Sequence, residues 1–324
     1  MGYVIYERSA GGMDGTESGV SPLKMRSYEG LHDLKAMLDL LSDGRKANTG
    51  TYYVHPGDLQ WWLFYSDLTQ EVWQSRIRLW MEDDRLVGWA LLSPEEDAFD
   101  VFIAPHLRGD SREHEMLAWA VNEMSALDEI DNVWVAVQDD SRIRWFEENG
   151  FACAEDHFLQ LQRSLSGPLD GPPLPDGFSL RASLGNEEDA RLRAAASHAA
   201  FKSGKPFEAY WPRTWKFNQS PVYVPEHELF VISPNGEIAS FCIIWTDELN
   251  QIGHFEPVGT HPDFHRRGLG KCLLYEALRR LKAEGMKEAD VCAYYDNHAA
   301  IGLYEAVGFR KVRKLLTYKK KRTT

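Results

Sequence analysis

The sequence predicts an α/β protein made of two lobes of similar design. The chain has 324 residues, and domains of roughly 100–200 residues are usual. Helix-like and strand-like patterns alternate along it, and it contains 44% hydrophobic and 26% charged residues, as globular proteins do. The heptapeptide WFEENGF at 145–151 recurs as LYEAVGF at 303–309, each time after a strand-like run. We therefore expect one supersecondary pattern to occur twice.

A segment rich in proline and glycine separates the two halves. Ser166–Gly177, SGPLDGPPLPDG, has four prolines and three glycines and no periodic apolar face, which is typical of a linker. The prediction is a first domain over residues 1–165, a linker over 166–177 and a second domain over 178–324.

The first half carries a clear helix and a group of strands. Leu31–Leu41 places leucines at helical spacing. Arg76–Ile103 contains the strand-like runs RLWM and LVGWALL on either side of the turn-like EDDR. Tyr52–Phe64 is rich in aromatic residues, which predicts packing in the core or between the lobes.

The second half repeats this order with more elements. The Pro-Asn-Gly turn at Pro234–Gly236 favours a β-hairpin. The other patterns predict helices at Asn186–Ala200, Leu269–Ala283 and Ala299–Ala306, and strands at Glu228–Ile232, Ile238–Trp245, Gln251–Val258, Glu288–Ala293 and Val312–Tyr318.

The charge of the chain bears on its partners and location. The net charge of −13 divides into −16 up to Leu165 and +3 beyond it, so the acidic half disfavours nucleic acid and anionic membranes and attracts cations. No apolar run approaches the roughly 20 residues that cross a bilayer, and the N-terminal MGYVIYERSAGG shows no secretory pattern. The four cysteines are widely spaced without a CxxC pair, which disfavours disulfides and zinc. We expect a cytoplasmic protein with no nucleic-acid, membrane or metal partner.

The stretch Phe255–Leu274, FEPVGTHPDFHRRGLGKCLL, carries the strongest functional signal. A strand leads into a turn, then into a basic loop with Gly268 and Gly270, and then into an amphipathic helix. Free N–H groups at the start of a helix favour an anion, and glycines let the backbone approach it closely. The pattern predicts a phosphate-bearing cofactor. The Walker A pattern does not fit, because His265 stands where it needs a glycine. The Rossmann pattern does not fit either, because Leu273 stands at the place of its third glycine.

Two motifs in this half resemble those of the GNAT superfamily of acyl-CoA N-acyltransferases. The family's pyrophosphate loop, Gln/Arg-x-x-Gly-x-Gly/Ala, is matched by His265-Arg266-Arg267-Gly268-Leu269-Gly270 after Val258-Gly259-Thr260-His261-Pro262. The second motif, Asn-x-x-Ala-x-x-Leu-Tyr-x-x-x-Gly-Phe, is matched by Asn297, Ala300, Leu303, Tyr304, Gly308 and Phe309. His265 departs from the family's Gln or Arg. The resemblance covers Phe178–Lys320 and is weaker in the first half.

The resemblance implies a fold, a co-substrate and roles for individual residues. Each lobe would hold a mixed, mostly antiparallel sheet flanked by helices. Acetyl-CoA would be the co-substrate, and no metal would be required. Tyr304 would act as the general acid that protonates the departing CoA thiolate. The implied cofactor-binding residues are Val258, Thr260, His265, Arg266, Arg267, Gly268, Leu269, Gly270, Lys271, Asn297 and Tyr304.

The acceptor amine also needs a base, because it must lose a proton before it attacks. If Gln251–Val258 is a strand, its two-residue period places His254, Glu256 and Val258 on one face. We expect Glu256 to be the catalytic base, since a carboxylate also binds the ammonium form of an amine. His254 and a water chain remain alternatives.

The first half lacks these features. Its corresponding loop has Gly109 without a Gly-x-Gly pattern and places Glu113 where a diphosphate would meet negative charge. At the offset of 158 residues, Phe146 stands opposite Tyr304, and a phenyl ring has no proton to donate. We therefore interpret the first half as a degenerate GNAT-like lobe.

Together these patterns predict a single active site, in the second half. It would transfer an acetyl group directly from acetyl-CoA to a primary amine of a small cationic molecule. The segment Pro206–Phe217 would line the acceptor pocket or pack against the first lobe. The alternative is a noncatalytic acyl-CoA-binding regulatory protein, which would need neither Glu256 nor Tyr304. The patterns do not specify an oligomeric state.

Overall fold

The fold comes from a computed structural model of the chain, which describes residues 23–47, 53–93, 98–126 and 131–320. The N-terminal segment considered for secretion, and Tyr52, lie outside these ranges. Within the described residues, no helix is both long enough and apolar enough to span a bilayer.

Twelve strands form one sheet. They are β1 (Lys24–Ser27), β2 (Ile77–Glu82), β3 (Arg85–Ser93), β4 (Ala98–Ile103), β5 (Asp131–Ala136), β6 (Phe151–Ser164), β7 (Ser179–Ala182), β8 (Glu228–Ile232), β9 (Ile238–Asp247), β10 (Ile252–Thr260), β11 (Glu288–Tyr294) and β12 (Arg310–Lys320). Their order across the sheet is β1-β2-β3-β4-β5-β12-β6-β11-β10-β9-β8-β7. Within the described ranges, only the pairs β4–β5 and β10–β11 are parallel. The predicted mixed, mostly antiparallel α/β fold is confirmed.

Helices pack on both faces of the sheet. They are α1 (Leu31–Ala47), α2 (Pro56–Phe64), α3 (Gln70–Arg76), α4 (Ser111–Ala126), α5 (Asp140–Glu148), α6 (Glu187–Ala200), α7 (Phe207–Asn218), α8 (Leu269–Ala283) and α9 (His298–Ala306). In the second lobe, alternate residues of β9 face different layers. Cys242 and Ile244 belong to the core beneath α8, whereas Ile243 packs with Phe217 of α7.

The two lobes exchange their last strands. The final strand of the first half, β6, pairs with β11 of the second half along Phe158–Ser164. The final strand of the second half, β12, pairs with β5 of the first half along Leu315–Lys320. Because β6 and β12 also pair with each other, the two lobes form one continuous sheet. The predicted boundaries at 165 and 178 stay a prediction, and the strand pairing crosses them.

One ion pair occurs at the same place in both lobes. Arg26 of β1 donates two hydrogen bonds to Asp33, the third residue of α1, at 2.5 and 2.7 Å. Arg181 of β7 donates two to Asp189, the third residue of α6, at 2.6 and 2.7 Å. In each case the aspartate also accepts a hydrogen bond from a backbone N–H of the preceding turn. These matching contacts support the predicted duplication.

The proline-rich segment between the halves is ordered against α8. Leu169 is buried in the second core, and its carbonyl accepts a hydrogen bond from Arg279 at 3.0 Å. A Cβ on Gly171 would lie 2.6 Å from the Tyr275 side chain, so only glycine fits there. This segment therefore adds packing to the helix that begins at the predicted cofactor loop.

Candidate active site

A gap opens in the sheet between β10 and β11. The parallel ladder pairs Ile252–His254 with Glu288–Asp290. Among the described residues no further pair joins the two strands, while β10 stays paired with β9 as far as Thr260. Backbone groups of β10 beyond His254 therefore face the gap on one side.

The predicted phosphate loop lies at the end of β10. Gly268 immediately precedes α8 with a φ of +77°, and a Cβ there would meet nothing within 4 Å. No side chain caps the start of α8, so its first N–H groups are left for another acceptor. Arg266 and Arg267 are exposed beside them. The loop is open, lacks its own anion and carries positive charge, so its residues fit a diphosphate.

Several predicted cofactor residues have side chains engaged elsewhere. Val258 and Leu269 pack in the second core, and Thr260 Oγ1 lies 2.9 Å from Ser240 Oγ. The ring of His265 is 3.0 Å from the Thr260 carbonyl. A Cβ on Gly270 would lie 3.1 Å from Leu303. Leu269 is buried and Gly270 has no side chain, so each offers a ligand its backbone, whereas the Val258 side chain is partly exposed.

Asn297 and Lys271 differ in how much of each side chain is free. Asn297 is the N-cap of α9, and its Oδ1 accepts a hydrogen bond from Ala300 N at 3.1 Å. Its amide Nδ2 therefore remains the group that could donate to a pantetheine arm. Lys271, in the first turn of α8, is half-buried, and it adds a third positive charge to the loop.

Glu256 lies on β10, next to the gap. Its side chain is half-buried. Burial, together with the negative charge of Asp58, raises the pKa of Glu256 to about 7, against the opposing effects of His254 and Arg193. The Trp245 indole donates a 2.8 Å hydrogen bond to the backbone carbonyl oxygen of Glu256. A carboxyl group with a pKa near neutrality can both accept and release a proton.

The predicted alternation along β10 is wrong beyond Phe255. Phe255 lies opposite Ile244 and Val258 lies opposite Cys242, so two residues of β10 stand against one residue of β9. This bulge changes the face on which the later side chains lie. Val258 consequently packs with Phe255 in the second core and does not share the face of His254.

The structure argues against His254 as the base. It is buried, with Nδ1 2.6 Å from Asp290 Oδ1 and Nε2 3.0 Å from Asp58 Oδ1. Although burial disfavours the imidazolium, the two carboxylates raise the pKa of His254 to about 10. With a carboxylate at each nitrogen, the ring holds both protons and has no lone pair to accept another.

Tyr304 lies on α9 and is buried in the second core. Burial and the nearby charge of Glu256 raise the pKa of its phenol above the ordinary range, so it is protonated at neutral pH. A protonated phenol can serve as an acid, as the sequence motif implied. Tyr304 and Glu256 interact electrostatically although they come from a helix and a strand 48 positions apart.

The corresponding loop of the first lobe is filled by its own side chains. Gly109 has a φ of +78°, and its N–H donates a 2.6 Å hydrogen bond to Oε2 of Glu113. The buried Glu113 carboxylate also pairs with Arg108 and with Arg142, the latter at 2.8 Å. Arg142 in turn donates to the Val101 carbonyl of β4 at 2.6 Å. The N–H of this loop is thus already bonded to a carboxylate of the same lobe.

Sequence reasoning missed the residues that the first lobe brings to this site. Three residues contact β10 or its neighbour β11: Asp58 of α2, its N-cap His55, and Arg45 of α1. The only local signal was the capping pattern, since His55 caps α2 and Asp58 bonds back to its N–H. That pattern predicts the start of a helix and not its docking partner. α7, from the aromatic segment 206–217, also packs on the first lobe, where Thr214 lies 3.2 Å from Tyr65.

Comparison with known proteins agrees with this geometry. A family model described as acetyltransferase (GNAT) matches residues 193–309, which include the loop, Glu256 and Tyr304. The match covers 117 of the 324 residues, so it is the second lobe that is similar to this family.

The curated relatives of this chain include proteins named mycothiol acetyltransferase. The protein from Streptomyces avermitilis is 32% identical over 153 residues, which are 46% of this chain and 49% of the relative. The protein from Kocuria rhizophila is 26% identical over 250 residues, which are 71% of this chain and 79% of the relative. In the first match the chain spans about half the length of the relative.

Solved structures share the tandem GNAT fold. A tandem GNAT protein from the clavulanic acid biosynthesis pathway superposes with a TM-score of 0.69 at 15% identity, covering 93% of this chain and 100% of its own. A GCN5-related N-acetyltransferase from Sphaerobacter thermophilus gives 0.61 at 18% identity, with coverages of 92% and 95%. At these identities the likeness establishes the fold alone.

Proposed function

We propose that this protein is an acetyl-CoA-dependent N-acetyltransferase whose one active site lies in the second lobe. The observation that carries the proposal is the juxtaposition at the β10–β11 gap. Glu256 borders the gap, Tyr304 lies close enough to interact with it electrostatically, and an open basic loop ends the same strand. The family model and the relatives' names support acetyl transfer.

Each group has a defined task in the reaction. The N–H groups from Arg267 to Lys271 bind the CoA diphosphate, and the freed backbone of β10 binds the pantetheine arm and the thioester carbonyl. Asn297 donates to the pantetheine arm through its amide. These contacts place the acetyl group within the gap, next to the two titratable side chains.

Three proton transfers accompany the bond changes. Glu256 accepts a proton from the acceptor ammonium, directly or through water, and the resulting amine attacks the thioester carbon. A backbone N–H of β10 stabilises the negative charge that develops on the carbonyl oxygen. The C–S bond breaks, the N–C bond remains, and Tyr304 donates its proton to the CoA sulfur. The second proton of the attacking nitrogen then passes through water to the Tyr304 phenolate, which leaves the neutral amide. No covalent acyl-enzyme is needed.

The acceptor is a primary amine of a small molecule. The acidic charge of the first half, −16 up to Leu165, supports a cationic acceptor by electrostatic attraction. The relatives' name makes an acceptor of the kind used by mycothiol acetyltransferases the first to test. The predicted domain limits and cytoplasmic location accompany this proposal as predictions.

Calorimetric titration with acetyl-CoA tests the cofactor site. We expect saturable binding at one site per chain and its loss in Arg266→Glu/Arg267→Glu, because two like charges then face the diphosphate. Arg85→Glu/Arg310→Glu is the matched control, since both arginines are exposed on other strands. Thiol release with a panel of amines then tests transfer.

Three results contradict the proposal. Absence of acetyl-CoA binding removes its basis, and two sites per chain refute a degenerate first lobe. Binding without thiol release for any amine, under conditions that support a known N-acetyltransferase, favours the noncatalytic alternative.

A further inference from the structure

A buried ion network joins the first lobe to the strand that carries Glu256. His254 stands two residues before Glu256 and is 2% exposed. One carboxylate that clamps it, Asp290, comes from the neighbouring strand β11, and the other, Asp58, comes from α2 of the first lobe. A histidine in the catalytic lobe is thus held between carboxylates from both halves of the chain.

Asp58 is itself held in place by its helix. Its Oδ2 accepts a 2.8 Å hydrogen bond from His55 N, which leaves Oδ1 to meet His254. The ring of His55 stacks on that of His254, with 5.0 Å between centroids and 15° between planes. His55 Nδ1 accepts a hydrogen bond from Gly57 N, so its Nε2 donates to the Ile252 carbonyl at 3.2 Å. Burial, with the charges of Arg45 and His254, lowers the pKa of His55 to about 3, so it is a neutral spacer.

A steric contact fixes the same helix against the active-site strands. A Cβ on Gly57 would lie 2.3 Å from Trp245 Cγ, so α2 approaches β9 as closely as its backbone allows. Trp245 donates its indole N–H to the Glu256 carbonyl at 2.8 Å. Two contacts therefore join α2 to the backbone around Glu256. Asp58 pairs with His254, and the Trp245 indole packs against Gly57 and bonds to the Glu256 carbonyl.

We infer that Asp58, a residue of the degenerate lobe, is a positioning residue for the catalytic base: through His254 it anchors the β10 segment that carries Glu256, and it places a negative charge beside that carboxylate. The inference rests on the proposed function, in which Glu256 is the base. It gives the first lobe a specific part in a reaction whose chemical groups all belong to the second lobe.

The groups around Glu256 and His254 determine the expected direction of the effect. They are Asp58 of α2, His55 just before that helix, Arg45 of α1, Arg193 of α6, Asp290 of β11 and Tyr304 of α9. Burial and Asp58 raise the pKa of Glu256, whereas His254 and Arg193 lower it. Loss of the Asp58 charge removes the carboxylate that raises this pKa, while Arg193 remains and Asp290 still pairs with His254. The pKa of Glu256 should then fall.

The test is the pH profile of kcat and kcat/KM in Asp58→Asn at saturating acetyl-CoA. A carboxylate base is active when ionised, so the wild-type rate should rise with pH through about 7. In Asp58→Asn this rise should move to lower pH by about one unit. The plateau kcat should fall as well, because a weaker base transfers the proton less readily.

Two variants keep the test decisive. Asp247→Asn is the matched control, because Asp247 is a buried carboxylate that bonds to Arg45 in the same network without contacting His254. It should leave the pH of the rise unchanged. Asp58→Glu keeps the charge but lengthens the side chain that meets His254, so the rate should rise at the wild-type pH while the plateau kcat changes. This variant decides the matter if Asp58→Asn does not fold. If only Asp58→Glu folds, three results together support the inference. The rate rises at the wild-type pH, the plateau kcat changes, and acetyl-CoA binding does not change.

Other outcomes overturn the inference. If Asp58→Asn folds and lowers kcat equally at every pH, or changes nothing, Asp58 is only a structural contact. If Asp58→Asn does not fold, the positioning role is refuted when Asp58→Glu has the wild-type plateau kcat and its rate rises at the wild-type pH. A full rate and an unchanged profile in Glu256→Gln would instead overturn the inference together with its premise, which separates the two failures.

Discussion

The two lobes place a similar loop in the same position, but they differ in what the N–H groups of that loop bond to. In the first lobe the Gly109 N–H donates to the Glu113 carboxylate, which two arginines surround. In the second lobe the start of α8 has no side-chain cap, and Gly268 is open to solvent. A loop of this shape needs an anion, because its N–H groups are otherwise unpaired. The first lobe supplies one from its own chain, so its Gly109 N–H is already bonded and not available to a ligand.

The difference extends to the neighbouring groups. Arg142 of α5 donates to the Val101 carbonyl on β4, beyond the one ladder pair, Ala98 with Asn132, that joins β4 and β5 in the described ranges. At the equivalent position on α9 the second lobe has Ala300, which carries no charged group that could reach across to a carbonyl. The first lobe thus keeps the sheet and places an ion cluster at this position, which the second lobe does not.

The largest expected effect concerns the base. Glu256→Gln should lower kcat by about 100- to 10,000-fold and remove the rise in rate through about pH 7. Steady-state kinetics between pH 5.5 and 9 would measure both. Asp100→Asn in the first lobe is the matched control, because burial also raises the pKa of Asp100 to about 7 despite Arg142. If the rise in rate with pH is lost in Asp100→Asn and kept in Glu256→Gln, the comparison of the two lobes is wrong.

The next effect concerns the internal anion of the first lobe. Glu113→Gln should lower the free energy of unfolding by about 3–5 kcal/mol, because it leaves Arg108 and Arg142 without a buried carboxylate that both contact. Denaturant unfolding measures this, and the rate per folded molecule should not change. Glu276→Gln is the control: Glu276 also bonds two arginines, but at a half-exposed site on α8, so about 0–1 kcal/mol is expected. Equal losses would contradict an internal role for Glu113.

The smallest of these effects concerns the acid. Tyr304→Phe gives the second lobe the phenyl group that the first lobe already has at Phe146. We expect kcat to fall about 100-fold, with acetyl-CoA binding unchanged in calorimetry, since the phenol acts on the leaving thiolate. Tyr295→Phe, at an exposed tyrosine before α9, should keep the full rate. An unchanged kcat in Tyr304→Phe would assign the proton to another donor.

Local patterns carried most of the fold prediction. α8 spans Leu269–Ala283 as the apolar spacing predicted, and β8 spans Glu228–Ile232. The hairpin between β8 and β9 turns where Pro-Asn-Gly stands, with Gly236 at positive φ. These features depend on interactions within a few residues of chain, which the sequence displays directly.

Features that depend on distant contacts were not predictable. The bulge in β10 moved Val258 away from the face of His254, because its two-against-one register depends on the pairing with β9. The exchange of β6 and β12 was equally hidden, since either strand could in principle pair with its own lobe. The ion pair of Asp58 with His254 spans 196 positions of the chain, and no periodicity marks it.

The sequence by itself determined α6, α8, α9, the start of α1 and the strands β8 to β12 to within a few residues, together with the repeated motif, the basic glycine loop and the candidacy of Glu256 and Tyr304. Residue type and short spacing define each of these, because hydrogen-bonding capacity and backbone freedom are local properties. Only the tertiary structure decided that the lobes share one sheet, that Glu113 closes the first loop, and that His254 is a clamped cation while Glu256 has a pKa near 7. Burial and the charges around a group control its protonation, and both arise when residues far apart in the chain pack together.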